Sequence, residues 1–129
     1  VKLIEPIKGL PDMVFTANAG LVYENEVWVS SFKTQERQPE SNYFKHWFSQ
    51  EGFDIINTEY DLSQPPSFEG AGDALFFNAS LFAGHSFRSD LRTYEHPFFK
   101  QFNLTLCELI DPYFYHLDTC FCPLNLSLA

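Results

Sequence analysis

The sequence predicts an α/β fold assembled from ββαβ modules, and three observations carry that reading. A short pattern recurs as PDMVF at positions 11 to 15, GDALF at 72 to 76 and LDTCF at 117 to 121, each setting an aspartate before an apolar run. After the first two copies a turn leads to a second apolar strand, EVWVSSF and then SLFAGHSF, followed by a basic residue, Arg37 and then Arg88. An aromatic amphipathic stretch comes next in both copies, and each yields to a β-rich run.

Each element has its own sequence reason. The strands are apolar runs bounded by turn residues, Glu24 and Asn25 in the first module, Gly52 after its helix, and Pro65 with Pro66 at the junction. The helix candidates are NYFKHWFSQEG and HPFFKQFN, and in the first Phe44, Trp47 and Phe48 stand three and four apart on one face. FDIINTEY and LTLCELI supply the closing strands. These signals place one module at about 10–62 and a second at 68–112 within a single partial domain spanning 1–129. A third module starts at 114–129 and stops at its first strand. Such a unit cannot bury both faces of its small sheet alone, so a ring or stack of units is expected, with Asp12, Asp73 and Asp118 converging on one acidic centre.

The chain has 129 residues with 45% hydrophobic residues and fifteen phenylalanines, enough to bury a core. A net charge of −9 speaks against nucleic acid or an anionic membrane and favours a cationic small ligand. Asn78 interrupts the best apolar run, DALFFNASLFAG, so no membrane span is expected. Cys120 and Cys122 are too close on one extended segment to bridge easily, and reduced thiols in a cytoplasmic setting are expected. The sequons at Asn78, Asn103 and Asn125 then read as coincidence. Val1 and Ala129 carry no terminal signals, so a longer parent chain is expected.

Among residues that could do chemistry, FEGAGD sets Glu69 and Asp73 either side of two glycines that let the backbone approach a ligand. A plain turn with a solvated Glu69 is the alternative, and the loop alone does not separate the two. His116 and Asp118 lie two apart, on one side of an extended chain. A histidine beside carboxylates suits general acid–base work, against the alternative of a satisfied core histidine. HLDTCFC lacks the second ligand pair of a structural zinc site, so no metal is expected. Cys120 and Cys122, beside Phe121 and Pro123, are expected in the strand core. Arg37 and Arg88 offer forks for a substrate carboxylate.

GLPDMVFTANAGLV, FEGAGDALF, SFRSD and YHLDTCFCPL together resemble the guanidino-group-modifying enzymes of the pentein or amidinotransferase superfamily. The resemblance is strongest to the arginine dihydrolase and dimethylargininase branches. It implies a fivefold pseudosymmetric α/β propeller, of which this chain holds about two and a half modules. It also implies hydrolysis of guanidinium C–N bonds in arginine, or a methylated arginine, through a covalent cysteine adduct, with no cofactor. By position, Asp12 and Asp118 would bind guanidinium nitrogens, and Glu69 would hold the substrate and assist proton transfer. His116 would be general acid and then base, and Arg37 and Arg88 would hold the α-carboxylate. Asn18 stands where many deiminases carry an aspartate, which points to ornithine rather than citrulline. The family's nucleophilic cysteine belongs to a module absent here, so this chain alone is expected to be inactive. A non-catalytic guanidino-binding module lacking the nucleophile is the alternative. An incomplete ring is expected to expose apolar faces or to self-associate as a homo-oligomer.

Overall fold

A computed structural model describes residues 2–57 and 66–124. Two copies of one module are present. The first pairs β1 (Gly20–Tyr23) antiparallel with β2 (Glu26–Val29), passes through α1 (Glu40–Gln50) and returns as β3 (Asp54–Ile55) parallel to β2. The second repeats this order with β4 (Ala74–Phe77), β5 (Ser80–His85), α2 (Pro97–Lys100) and β6 (Asn103–Glu108). Both hairpins close through two residues, and the first of each, Glu24 at φ 54° and Asn78 at φ 55°, is left-handed. Asn tolerates that conformation better than Glu.

The helices form where the pattern places their aromatic faces. α1 buries Phe44 and Phe48, with Trp47 half-buried beside them, against Met13, Val27, Val29 and Phe32. Strand alternation sends Trp28 to the opposite face of the same sheet, where with Leu21 it joins Phe68, Tyr94, Phe98 and Phe99 of the second module. The first sheet is therefore covered on one side by its own helix and on the other by its neighbour's. The Trp28 ring stacks on Phe98 at 5.9 Å and is tilted on Phe99 at 4.9 Å. At the equivalent position of the second sheet Phe82 stacks at 4.8 Å on Phe121, in the segment after β6. Backbone bonds between Ser31 and Phe68, each 2.9 Å, stitch the two modules immediately before Glu69.

Several expected elements take another form. PDMVF is a 3-10 turn, Pro11–Val14, because Pro11 is suited to the first helical position and has no N–H for a ladder. The first strand comes later, at Gly20–Tyr23. LDTCF opens with the 3-10 turn Leu117–Thr119, and no strand is assigned over residues 117–124. The three aspartates are consequently not equivalent: Asp73 directly precedes β4, as Ala19 precedes β1, while Asp12 and Asp118 lie inside turns. Cys120 and Cys122 are exposed, not core, since the turn gives the buried position to Leu117 and leaves Phe121 half-buried. The end of the FDIINTEY run, the Pro65 junction and the Asn125 sequon lie outside the described residues. Among the described residues no helix is long and apolar enough to cross a membrane.

Trp28 is 3% exposed and joins the modules. Trp28→Ala is expected to cost about 3–5 kcal/mol in denaturant unfolding of the full-length protein. A loss below about 1 kcal/mol would contradict the inter-module role.

Candidate active site

Three short 3-10 turns meet at the junction of the modules: Thr16–Ala19, Gly70–Gly72 and Leu117–Thr119. The residue that opens each turn is Phe15, Glu69 and His116 respectively. The turns pack backbone to backbone because Gly70 and Gly72 have no side chains. Gly70 sits at φ +62°, and a Cβ there would lie 2.7 Å from the Ala17 carbonyl and 2.8 Å from the Gly20 nitrogen. A Cβ on Gly72 would fall 2.3 Å from the Asn18 amide nitrogen.

Glu69 is fully buried, and its carboxylate is met on three sides. Oε2 lies 2.8 Å from His116 Nε2 and accepts from Arg88 Nη1 at 3.2 Å, and Oε1 accepts the Lys33 backbone N–H at 3.3 Å. Burial by itself pushes the Glu69 pKa up, yet the His116 hydrogen bond, the charges of Arg88 and His116 and the Lys33 N–H together hold it below the usual value. Glu69 is therefore ionised at neutral pH. A neutral His116 then carries its proton on Nε2 and donates it to Oε2, leaving Nδ1 as the basic nitrogen. Arg88 is further held with its guanidinium 4.9 Å from the Tyr115 ring centre.

The other expected site residues divide. Asn18 is buried, donates to the Glu69 carbonyl at 3.3 Å and accepts from Arg37 Nη1 at 3.1 Å. Asp73 is buried with both oxygens engaged, Oδ2 by the Ser89 hydroxyl at 2.6 Å and Oδ1 by the Leu117 N–H at 3.0 Å. Burial raises its pKa, Ser89, His116 and the Leu117 N–H pull it down, and the charge of Glu69 adds to the rise. Asp118 is exposed, with its carboxyl raised by partial desolvation and drawn down by His116.

Arg37 departs most from expectation. Its Nε and Nη2 are held by Glu40, with Nη2 at 2.8 Å from Oε2, and both residues are buried. Its donors are spent inside the protein rather than presented as an open fork. The signal was legible, because Glu40 stands three residues after Arg37 at the entry to α1. Asp12 meets Arg37 Nη2 with its backbone carbonyl, at 3.2 Å. Sequence reasoning also passed over Ser89 and the Lys33 N–H, the latter a main-chain group with no sequence signature.

Over nearly its whole length the chain resembles proteins of known activity. It is 52% identical to the bifunctional arginine dihydrolase/ornithine cyclodeaminase ArgZ of Synechocystis sp., a match covering 97% of this chain and 18% of that protein. The crystal structure of the N-terminal domain of ArgZ covalently bonded to a reaction intermediate superposes with a TM-score of 0.85 at 48% identity, over 95% of this chain and 45% of that one. The chain belongs to the pentein superfamily. A further relative within it, the N(G),N(G)-dimethylarginine dimethylaminohydrolase of Mycobacterium tuberculosis, is 40% identical over 92% of this chain and 38% of its own length. The pentein chain thus spans less than half of each of these relatives. No family model matches it.

Carboxyl titration followed by 13C NMR is expected to place Glu69 below its ordinary 4.5 and Asp73 above its ordinary 3.8. The stability consequences have opposite signs. Glu69 contributes above its unfolded value and loses that contribution as pH falls through its folded one. Asp73 contributes below its unfolded value and loses it as pH rises through its folded one. A Glu69 midpoint above 4.5 or an Asp73 midpoint below 3.8 would contradict the geometry. Gly70→Ala is expected to destabilise the full-length protein by at least the roughly 1–2 kcal/mol of a left-handed residue, since its Cβ also meets backbone; calorimetry checks this.

Proposed function

We propose that the full-length protein hydrolyses the guanidinium C–N bonds of arginine, with this chain supplying the acid–base pair and part of the substrate pocket. The observation that carries the reading is the buried Glu69–His116 contact at 2.8 Å, flanked by Arg88. A planar cation entering this region meets the ionised Glu69, whose charge polarises the guanidinium carbon toward attack. His116 takes a proton from the attacking group and returns it to the departing ammonia. A cysteine outside these 129 residues supplies the nucleophile, in keeping with the covalent intermediate held by the ArgZ domain. Arg88 holds the α-carboxylate. Arg37 positions Asn18 rather than touching substrate.

The dihydrolase end point, in which water releases the cysteine adduct and arginine with two waters gives ornithine, carbon dioxide and two ammonia, is supported by the two bifunctional arginine dihydrolase relatives at 52% and 49% identity. We place the two modules as blades of a fivefold pseudosymmetric propeller. Covering of the first sheet by the next module's helix supports this, and α1 with the segment at 2–7 leaves an apolar cavity of about 620 Å³ beside Phe44, Trp47 and Phe48 where a preceding blade fits. Ile110 and Tyr113, 84% and 79% exposed, mark the opposite edge.

The full-length protein is expected to release ammonia from arginine, insensitive to chelator and abolished by thiol alkylation. His116→Ala is expected to lower kcat by about 10²–10⁴-fold. Undiminished turnover by that variant would overturn the reading.

A further inference from the structure

We infer that Ser89 is a positioning residue whose hydroxyl, with the Asp73 carboxylate, clips together the two backbones that carry Glu69 and His116 and so sets the spacing of the proton-handling pair. This rests on the reading of Glu69 and His116 as the acid–base pair.

The connections are continuous. Ser89 is buried, and its Oγ accepts the Glu69 backbone N–H at 3.0 Å while donating to Asp73 Oδ2 at 2.6 Å. Asp73 Oδ1 accepts the N–H of Leu117, the residue after His116, at 3.0 Å. Asp73 is itself fixed in the second module, its N–H donating to the Gly70 carbonyl at 3.1 Å and its carbonyl accepting from the Gly84 N–H at 2.7 Å. One hydroxyl and one carboxylate therefore tie the opening of the second turn to the opening of the third. The side chains of those two residues meet 2.8 Å apart.

The clip has no room for a ligand. Asp73 is 0% exposed and Ser89 1% exposed, and both oxygens of the aspartate are engaged. Its partners are a hydroxyl and a main-chain N–H, so this carboxylate joins one stretch of backbone to another. Serine has the right size and chemistry for the bridge, since one small hydroxyl can accept and donate at once.

Ser89 also fixes the second partner of Glu69. It follows Arg88 directly, and the loop is closed by the Ser86 N–H donating to the Ser89 carbonyl at 3.1 Å. Ser86 adopts φ 107°, a strained value for a residue with a side chain. A loop held against such strain presents Arg88 to Glu69 from a defined place. Loss of the Ser89 hydroxyl leaves the Glu69 N–H and Asp73 Oδ2 without this partner in a buried site, and the backbones are free to drift.

The test uses the full-length protein with arginine as substrate. Ser89→Ala is expected to lower kcat by up to about 100-fold, the scale of a misplacement near 1 Å, with KM changed less than about twofold. Ser89→Thr, which keeps the hydroxyl, is expected to restore most of the rate. The Glu69 carboxyl midpoint, read by 13C NMR against its neighbours His116, Arg88 and Asp73, is expected to rise in Ser89→Ala and stay near the parent value in Ser89→Thr. An unchanged kcat and midpoint in Ser89→Ala, or a loss that threonine fails to rescue, would overturn the inference. Where Ser89→Ala does not fold, Ser89→Cys decides on the same two readouts, because a thiol fills the site but is a poor hydrogen-bond donor and acceptor and leaves the Asp73 charge in place. A full-length protein that releases no ammonia from arginine would defeat the hydrolase reading, and the Glu69 midpoint would still decide the clip.

Discussion

Glu69 holds a negative charge with no access to solvent, and the arrangement around it answers to that single constraint. A bare carboxylate buried in protein would take up a proton instead of remaining charged. Here the imidazole of His116, the guanidinium of Arg88 and the main-chain N–H of Lys33 replace the lost water. Each partner comes from a different stretch of chain, so the charge survives only if the loop after β2, the loop after β5 and the segment after β6 are all in place. Removing one partner costs more than the pair gains, because it strands the other charge.

That dependence connects the packing of the modules to the chemistry. Trp28 docks the first sheet on α2, and the Ser31–Phe68 bridge follows from that docking. The bridge delivers Glu69 to the junction, where Gly70 and Gly72 allow the turns to touch. Asn18 then reaches the Glu69 carbonyl, with Arg37 and Glu40 holding the amide in its orientation. A repeat that exists to cover sheet faces thereby brings its loop openings together. Glu69 and His116, which each open a 3-10 turn, become neighbours there.

Much of this was legible in sequence. The ββαβ order, both hairpins and the buried face of α1 follow from apolar patterning, whereas Glu69 and His116 were singled out as separate candidates and their contact with each other and with Arg88 was not read. The repeat itself was set in the wrong register. Matching by aspartate aligned Asp12 with Asp73, whereas the backbone aligns Ala19 with Asp73, because Pro11 turns the earlier segment into a 3-10 helix. His116 and Asp118 were placed on one face of a strand, but a turn separates them into a buried and an exposed residue. Period-two reasoning also put Cys120 and Cys122 inside. Arg37 was taken for a substrate clamp because it stands after the second strand as Arg88 does, and its pairing with Glu40 was not considered.

The central claim is that Glu69 and His116 work as one unit across the module junction. A double-mutant cycle on kcat of the full-length protein, with Glu69→Gln, His116→Ala and the combination, tests it most directly. The account predicts strong non-additivity, the double variant being about as slow as the slower single one. Independent losses that multiply in the double variant would show that the 2.8 Å contact is packing without shared chemistry.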